Sequence, residues 1–376
     1  MGSRRARIAL IAVAAAVAAV FASQASANRY MLKGIYDPVQ PMVAPDTAFP
    51  LLNTLHVQVL RMDLPWSTIA PTRPRHPMDP NDPAYDWSQY DTFVENAHQH
   101  KIQVIFSVWG TPRWANGGQK PNRAPKVALD LQKFAYAAAK RYSGTFTPTG
   151  ATAPLPSVRR WLAWNEPNSP VFLQPQWQHT KSRNIPVAAI AYVHICTAIW
   201  TGVHATHLNE TVACGGTDPN GNNKARGIRP SIAPLTFLAA LHKYGLRHFD
   251  VYDHHPYYGS PQQTPGTVPR GSSSIRLGNI GLLITLLTRL YGHKNLWITE
   301  YGYQTRPPDN NFGVSYAKQA AYLKQAFAIA RKNPRITLMC WFLLRDERRV
   351  SGWQSGLITA GGKRKPAFNA FRLLPH

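Results

Sequence analysis

The stretch Trp161-Leu-Ala-Trp-Asn-Glu166-Pro-Asn168 joins a short apolar run to a polar loop that opens with a glutamate. Similar runs recur along the chain, and most are followed by a polar loop and then by a longer segment of helical period. This alternation is typical of βαβ units and a parallel sheet. The strand-like runs are residues 31–37, 56–62, 102–108, 158–164, 212–216, 249–254, 296–300 and 338–344. Eight such runs predict an α/β fold, a closed (β/α)8 TIM barrel.

Segments with helical periodicity lie between these runs and complete the pattern. They cover residues 89–100, 127–142, 187–204, 232–244, 277–291 and 316–332, and a last helix is expected at 367–373. Because strands and helices use the chain almost to its end, a second domain does not fit. We predict a single barrel domain over residues 28–376.

The first 27 residues have the pattern of a secretory signal peptide. Arg4, Arg5 and Arg7 precede an apolar run over 8–22, and small residues follow at 25–27. An uncleaved membrane anchor is the alternative, but the run is shorter than the roughly 20 apolar residues that span a bilayer. We predict cleavage after residue 27, a secreted protein and no stable membrane insertion.

The 376-residue chain is strongly basic, with 42 Lys and Arg against 18 Asp and Glu and a net charge of +24. This charge favours anionic surroundings such as acidic glycans, cell walls or nucleic acid. The basic residues are scattered, with runs only at 345–349 and 363–365, so nucleic-acid binding is a poor interpretation for an exported barrel. An apolar content of 44% excludes a disordered chain.

Three cysteines, Cys196, Cys214 and Cys340, cannot all pair within one chain. All three lie in apolar, strand-like or helix-like runs, which favours buried, unreactive thiols. A single bridge between Cys196 and Cys214 is the other interpretation. No cysteine and histidine spacing resembles a zinc cluster.

Glutamate occurs only five times, and two of the five stand at the ends of predicted strands. Glu166 closes the fourth strand and Glu300 closes the seventh. Loops after strands are long and rich in Pro, Gly, Asn and aromatics, and in TIM barrels catalysis takes place at this face. Either glutamate alone could simply cap a helix, but two at one rim can face each other and cleave a glycosidic bond.

Further motifs stand at other strand ends: Arg61-Met-Asp-Leu-Pro-Trp66, Gly110-Thr-Pro-Arg-Trp114, His255-Pro-Tyr257 and Trp341. With Trp164-Asn-Glu166-Pro-Asn168 and Trp297-Ile-Thr-Glu300-Tyr-Gly302, this ordered set resembles clan A retaining glycoside hydrolases. The likeness is greatest to bare-barrel members of glycoside hydrolase families 39 and 5. It covers nearly the whole chain after residue 27.

The resemblance implies hydrolysis of O-glycosidic bonds by double displacement, with Glu166 as acid/base and Glu300 as nucleophile. It also implies supporting roles for substrate-binding residues around them. Asn165 would bind the sugar 2-hydroxyl, Arg61 and Tyr257 would contact Glu300, and His255 would orient this network or touch the sugar. Trp341 would offer an apolar platform to the sugar ring. Arg61, Trp341 and His255 could instead be a barrel salt bridge, plain core and a satisfied histidine.

Three rival interpretations concern the same rim. Asp253-His254-His255 could be metal ligands, but adjacent strand residues point to opposite faces, so we expect no metal and no cofactor. A non-catalytic glycan-binding barrel would be expected to lack one of the two carboxylates. A transglycosylase would use the same residues with a sugar hydroxyl in place of water.

The substrate is predicted to be a β-linked oligo- or polysaccharide, bound by a monomer. Tryptophans near the rim, including Trp109, offer flat faces on which sugar rings stack. An anionic polysaccharide fits the positive charge, and a neutral β-glucan fits equally well if the charge serves solubility or adhesion.

Overall fold

A computed structural model of the protein describes residues 28, 30–271 and 273–376. The predicted signal peptide, residues 1–27, lies outside these described residues.

The barrel strands follow the predicted runs along the chain. They are β1 Leu32–Tyr36, β2 Val59–Pro65, β3 Gln103–Trp109, β4 Arg160–Ala163, β5 Thr211–Thr217, β6 Val251–His254, β7 Asn295–Ile298 and β8 Ile336–Phe342. Within the described residues, these eight strands form a closed barrel in the order β1-β8-β7-β6-β5-β4-β3-β2. All the pairings are parallel, and β1 closes the barrel by pairing with both β8 and β2. The predicted (β/α)8 barrel is confirmed.

A helix follows each strand and packs on the outside of the barrel. These helices are α1 Pro45–Thr54, α2 Ser88–Gln99, α3 Ala128–Arg141, α4 Val187–His204, α5 Pro234–Lys243, α6 Ile280–Tyr291, α7 Tyr316–Arg331 and α8 Pro366–Arg372. Short helical turns occur at Gln40–Val43, Trp66–Ile69, Arg113–Asn116 and Leu277–Asn279. A small antiparallel hairpin pairs Gln178–His179 with Asn184–Ile185.

Helix α1 has no counterpart among the predicted helices. Pro45 is its first residue and Pro50 lies inside it. A proline at the first turn costs nothing, but Pro50 cannot donate the usual hydrogen bond to the preceding turn. Two prolines in ten residues therefore obscure the helix in the sequence. Burial of Ala48, Phe49 and Leu52 stabilises it in the structure.

The core has two layers, one inside the barrel and one between the strands and the helices. Side chains such as Val59, Ile105, Leu162 and Leu338 fill the interior. Space there is tight at Gly34, where an added Cβ would lie 2.5 Å from the Cys340 Sγ. The filled interior leaves the mouth at the carboxyl ends of the strands as the place for a site.

A disulfide joins Cys196 of α4 to Cys214 of β5. The favoured interpretation of these two residues as buried thiols was therefore wrong, whereas Cys340 is a buried free thiol as predicted. The reason is tertiary: α4 packs against β5 and brings the two Cα atoms to 6.1 Å, within the range that a disulfide spans.

Helix α4 is long and apolar enough to cross a membrane by length and composition alone, with a mean hydropathy of 1.4. In the structure 56% of it is buried against the rest of the chain. Tyr192 at its centre donates a hydrogen bond to the Ala163 carbonyl of β4 and accepts one from the Gly215 amide of β5. Packing in the barrel accounts for its composition.

Candidate active site

Glu300 lies two residues beyond the end of β7, and its carboxylate is held at both oxygens. Oε1 accepts a hydrogen bond from Arg61 Nη1 at 2.7 Å, and Oε2 accepts one from the Tyr257 hydroxyl at 3.0 Å. Arg61 is fully buried on β2. A buried guanidinium in contact with a buried carboxylate stabilises the ionised form of that carboxylate.

Thr299 fixes the backbone immediately before Glu300. Its amide and hydroxyl both donate to the Asp253 carboxylate, at 3.1 and 2.7 Å. Its hydroxyl oxygen also accepts a hydrogen bond from Arg61 Nη1 at 3.0 Å. Asp253 on β6 thus positions Glu300 through the chain that carries it.

Glu166 reaches the mouth through an unusual turn after β4. Trp164 and Glu166 both have positive φ angles, 70° and 38°. Non-glycine residues rarely occupy this left-handed region, and such strain concentrates at functional sites. The turn is pinned by two hydrogen bonds: the Glu166 amide donates to the Gly216 carbonyl, and the Trp164 Nε1 donates to the Phe172 carbonyl.

The two glutamates meet at the centre of the mouth. One carboxylate oxygen of Glu166, one of Glu300 and a ring nitrogen of His255 lie within 4.8 Å of one another. The side chains of Glu166 and Glu300 are only 13% and 9% exposed, so both carboxyls sit in a largely dry environment. Residues 134 positions apart in sequence are thereby brought into one acidic pair.

Asn165 completes the contacts between β2 and β4. Its side-chain oxygen accepts a hydrogen bond from Arg61 Nη2 at 2.7 Å, so Arg61 touches both Asn165 and Glu300. Among the described residues, none accepts a hydrogen bond from the Asn165 side-chain nitrogen, so this nitrogen can donate to a sugar hydroxyl.

His254 and His255 are neighbours in sequence but face opposite sides of β6, as predicted. His254 bonds to Thr217 and to the Ile275 carbonyl, and burial lowers its pKa to about 3, so it is neutral. His255 lies between Glu166 at 3.0 Å and Thr299 at 3.1 Å. Burial opposes its charge, but Glu300, Asp253 and Glu166 raise the pKa of His255 to about 10.

The environment of Glu166 favours its protonated form. Burial, the negative charge of Asp218 and that of Glu300 together raise the pKa of Glu166 to about 8, against the opposing hydrogen bond and charge of His255. At neutral pH Glu166 therefore holds a proton, beside a second carboxyl group whose oxygens accept hydrogen bonds from Arg61 and Tyr257. One carboxyl is an acid and the other a base or nucleophile.

Glu166, His255 and Glu300 are close enough to share a cation. A protonated imidazole, however, has no lone pair for a metal, and both ring nitrogens of His255 already face hydrogen-bond partners. The chemistry of this donor set suits a proton network better than a metal centre.

Trp341 does not lie where the sequence analysis expected an open platform for a sugar ring. That ring is fully buried and donates from Nε1 to the Ser355 carbonyl, so it offers no open face to a sugar. The loop after β8 covers it, and the same loop carries Trp353, which is 36% exposed and packs against Tyr257 and Phe342. Trp109 is half-buried, and its Nε1 has no hydrogen-bond partner in the described part of the chain.

Asp218 and Trp353 are site residues that the sequence analysis missed. Asp218 directly follows β5, so the strand-end rule that singled out Glu166 and Glu300 could have found it. Trp353 lies eleven residues beyond β8 and carries no motif that ties it to the mouth. Only the fold of its loop, closed by the hydrogen bond from the Glu347 amide to the Trp353 carbonyl, brings it there.

With this geometry established, comparisons with known proteins become informative. A family model described as the glycosyl hydrolase catalytic core matches residues 279–371, a segment that contains Glu300. The chain resembles clan A glycoside hydrolases. No curated protein sequence matches it.

Solved glycoside hydrolases share the fold at low sequence identity. A family 39 glycoside hydrolase from the gut symbiont Bacteroides cellulosilyticus is 17% identical with a TM-score of 0.63, and the match covers 92% of this chain and 64% of that one. A β-xylosidase from Caulobacter crescentus is 16% identical, with a TM-score of 0.59 and coverage of 93% and 69%. Xylanase B from Clostridium stercorarium is 14% identical, with a TM-score of 0.54 and coverage of 92% and 97%. The chain thus spans less than two thirds of the first of these proteins.

Proposed function

We propose that the protein is a secreted, retaining glycoside hydrolase that cleaves β-linked glycans by double displacement. The spacing of the two carboxylates carries this proposal. One oxygen of Glu166 and one of Glu300 lie no more than 4.8 Å apart. This close approach fits the carboxyl separation of about 5–5.5 Å of retaining enzymes better than the roughly 6.5–9.5 Å of inverting enzymes. Several structural neighbours act on β-linked glycosides, among them a β-xylosidase, a β-glucuronidase and a β-glucosidase, and they support a β-linked substrate.

In the first step Glu300 attacks the anomeric carbon and forms an ester bond to it. The glycosidic bond breaks at the same time, and its electron pair goes to the leaving oxygen. Glu166 donates its proton to that oxygen, so the leaving sugar departs as a neutral alcohol.

His255 orients the acid for this transfer. As a protonated ring it donates from Nδ1 to Oε1 of Glu166, which leaves Oε2 to carry the catalytic proton. Oε2 forms no hydrogen bond with any described residue, so its proton is free to reach a substrate.

In the second step water takes the place of the leaving sugar. Once Glu300 is an ester its charge is gone, and the pKa of Glu166 falls because one of the charges that raised it has been removed. Glu166 then accepts a proton from water, the water oxygen attacks the anomeric carbon, and Glu300 is released as a carboxylate.

Export rests on two supports. The segment 1–27 has a signal-peptide pattern, and the disulfide between Cys196 and Cys214 belongs to an oxidising compartment. We therefore place the working enzyme outside the cytoplasm. Sequencing the N-terminus of the exported protein tests this, with Asn28 as the expected first residue.

The anomer of the first product tests the mechanism. Wild-type enzyme is incubated with β-linked aryl glycosides and polysaccharides, and the product is followed by NMR before it mutarotates. A β product from a β substrate supports retention, whereas an α product would overturn it. Glycan binding without turnover, unchanged in Glu300→Gln, would favour the non-catalytic barrel, and glycosyl transfer to sugars in preference to water would favour a transglycosylase.

A further inference from the structure

The charges at the mouth of the barrel are distributed unevenly. The loops after β3, β4 and β5 are neighbours at the rim and cover residues 110–127, 165–186 and 218–233. They contain nine basic residues: Arg113, Lys120, Arg123, Lys126, Lys181, Arg183, Lys224, Arg226 and Arg229. Their acidic residues are Glu166 and Asp218, both directed into the site. We call these three loops the basic quadrant.

The cations of the basic quadrant are free to bind a ligand. Among the described residues, none of the nine forms an ion pair, and all but Arg123 are exposed. The loop after β2 differs, since it sets Asp79, Asp82 and Asp86 against two arginines. The loop after β8, residues 343–365, is the other basic region of the mouth, with six basic residues against Asp346 and Glu347.

A cavity lies within the basic quadrant and has the lining of a sugar site. It measures about 520 Å³ and is bordered by Asn122, Gln174, Gln176, Trp177 and Arg229 among others. Amide groups, an indole and a guanidinium are groups that bind hydroxyls, sugar faces and anions, and the volume is that of an ordinary ligand site.

Gln176 connects this cavity to the acid. Its side-chain nitrogen donates to the Pro167 carbonyl, one residue beyond Glu166, and to the Leu173 carbonyl. Its side-chain oxygen is buried and has no partner in the described part of the chain. The wall of the cavity therefore includes a buried acceptor without a partner in the described part of the chain, on the same loop as Glu166.

The role proposed for Glu166 as the acid indicates which part of the substrate would lie in this cavity. The acid must be next to the oxygen of the leaving sugar, so the leaving-group side of the cleft is the side of the β4 loop. The cavity between the β3, β4 and β5 loops is on that side.

We propose that the basic quadrant binds an anionic segment of the glycan, carrying carboxylate or sulfate groups, on the leaving-group side of the cleft. The placement of the anionic segment on the leaving-group side rests on the proposed function. The binding test below does not, because it requires no turnover. It selects the acidic polysaccharide over the neutral β-glucan as the substrate class.

The test measures binding by the catalytically impaired full-length variant Glu300→Gln, so it does not depend on turnover. The probes are two matched pairs: a β-glucan oligosaccharide with its C6-carboxylated form, and a xylan oligosaccharide with and without glucuronic acid side groups. We expect the anionic member of at least one pair to bind about tenfold more tightly at low salt, and high salt to remove the preference. Equal binding within both pairs would overturn the proposal.

A charge-matched pair of variants locates the effect. Lys181→Glu, Arg183→Glu and Arg229→Glu are combined in the basic quadrant, and Lys318→Glu, Lys324→Glu and Lys332→Glu are combined along and just beyond α7, where all three side chains are exposed. Both triples change the net charge by the same amount. The ratio of anionic to neutral binding should fall about tenfold in the first and stay near wild type in the second.

Two outcomes would contradict this localisation. Equal loss in both triples would mean that net charge alone attracts the glycan. A single-stranded oligonucleotide of equal charge that binds as tightly as the anionic glycan would mean a general polyanion surface. If the wild type hydrolyses glycans but shows no anionic preference, the proposed function stands and this inference fails.

Discussion

The ends of β4 and β7 each carry a glutamate that faces the same mouth, but the two carboxyl groups have different surroundings. At β7 the Glu300 carboxylate meets Arg61 and Tyr257, one at each oxygen. At β4 the Glu166 carboxyl has one hydrogen-bond partner among the described residues, His255, and it is otherwise buried close to negative charges. The first environment offers the carboxylate a buried cation and a hydroxyl donor, and the second favours a protonated carboxyl group.

The backbone segments that carry the two glutamates also differ. Thr299 before Glu300 is fixed by Asp253, whereas Glu166 follows a turn in which two non-glycine residues have positive φ. Burial of both glutamates in one apolar pocket would not by itself distinguish them. The asymmetry comes from where the one buried guanidinium of this network, Arg61, is directed.

The largest expected effect separates the two glutamates themselves. Glu300→Gln should lower kcat/KM on the order of 10⁴-fold for every substrate, because no nucleophile remains. Glu166→Gln should cost about 10²–10⁴-fold with poor leaving groups and much less with good ones, because a good leaving group needs no acid. Steady-state rates for aryl glycosides of graded leaving-group pKa measure both.

The two Gln variants control for each other, since both keep shape and hydrogen-bonding capacity. If Glu166→Gln were equally slow across the leaving-group series, or if Glu300→Gln improved with good leaving groups, the two roles would be assigned the wrong way round.

The second prediction removes the cation that distinguishes the two sites. Arg61→Met should lower kcat/KM by about 10²–10³-fold, since Glu300 loses its buried positive partner and Asn165 loses its donor. It should also lower the free energy of unfolding by roughly 3–5 kcal/mol, the usual cost of leaving one charge of a buried pair alone. Denaturant unfolding and steady-state kinetics are measured on the same preparation.

Arg73→Met is a suitable control, because Arg73 pairs with Asp130 through a side chain that is 60% exposed. It should change stability and activity little. Equal effects of the two variants would contradict a special role for Arg61.

A third, smaller effect concerns the other oxygen of Glu300. Tyr257→Phe removes the hydroxyl that donates to Oε2 at 3.0 Å and keeps the ring that packs against Trp353. We expect kcat to fall about tenfold, as for the loss of one hydrogen bond to a charged group. Tyr258→Phe is the matched control, since its hydroxyl donates to the Phe312 carbonyl. A larger loss in the control would assign the effect to loop packing.

The comparison also shows what a sequence can reveal of such a site. The barrel strands, seven of the eight outer helices and both glutamates follow from periodicity and strand-end position, which are local properties. Residues that meet in space without a local signal escape: Trp353 enters through the fold of its loop, and Cys196 bonds to Cys214 because α4 packs on β5. Trp341 shows the opposite case. Its position in the sequence predicts an exposed residue at the rim, but the loop after β8 covers it and it is buried.

The smallest expected effect acts on the acid through charge alone. Because Glu166 must be protonated, kcat/KM should fall as pH rises through its pKa of about 8. After burial, the negative charge of Asp218 is the next largest cause of that raised pKa. Asp218→Asn removes the charge and keeps an oxygen for the Asn220 amide, which donates to the native carboxylate at 2.6 Å. The ionised form of Glu166 then becomes less unfavourable, so the alkaline limb of the pH profile should move to lower pH.

The control for this shift is Asp63→Asn, another carboxylate at the mouth. Its side chain accepts from the Tyr36 hydroxyl at 2.9 Å and faces Arg61 rather than Glu166. Removing that charge should leave the alkaline limb in place even if it lowers the rate. An unmoved limb in Asp218→Asn would show that burial and Glu300 suffice to keep Glu166 protonated. A limb that moved equally in both variants would mean that Glu166 senses the total charge of the mouth and not one neighbour, and the contrast between the β4 and β7 ends would then rest on Arg61 alone.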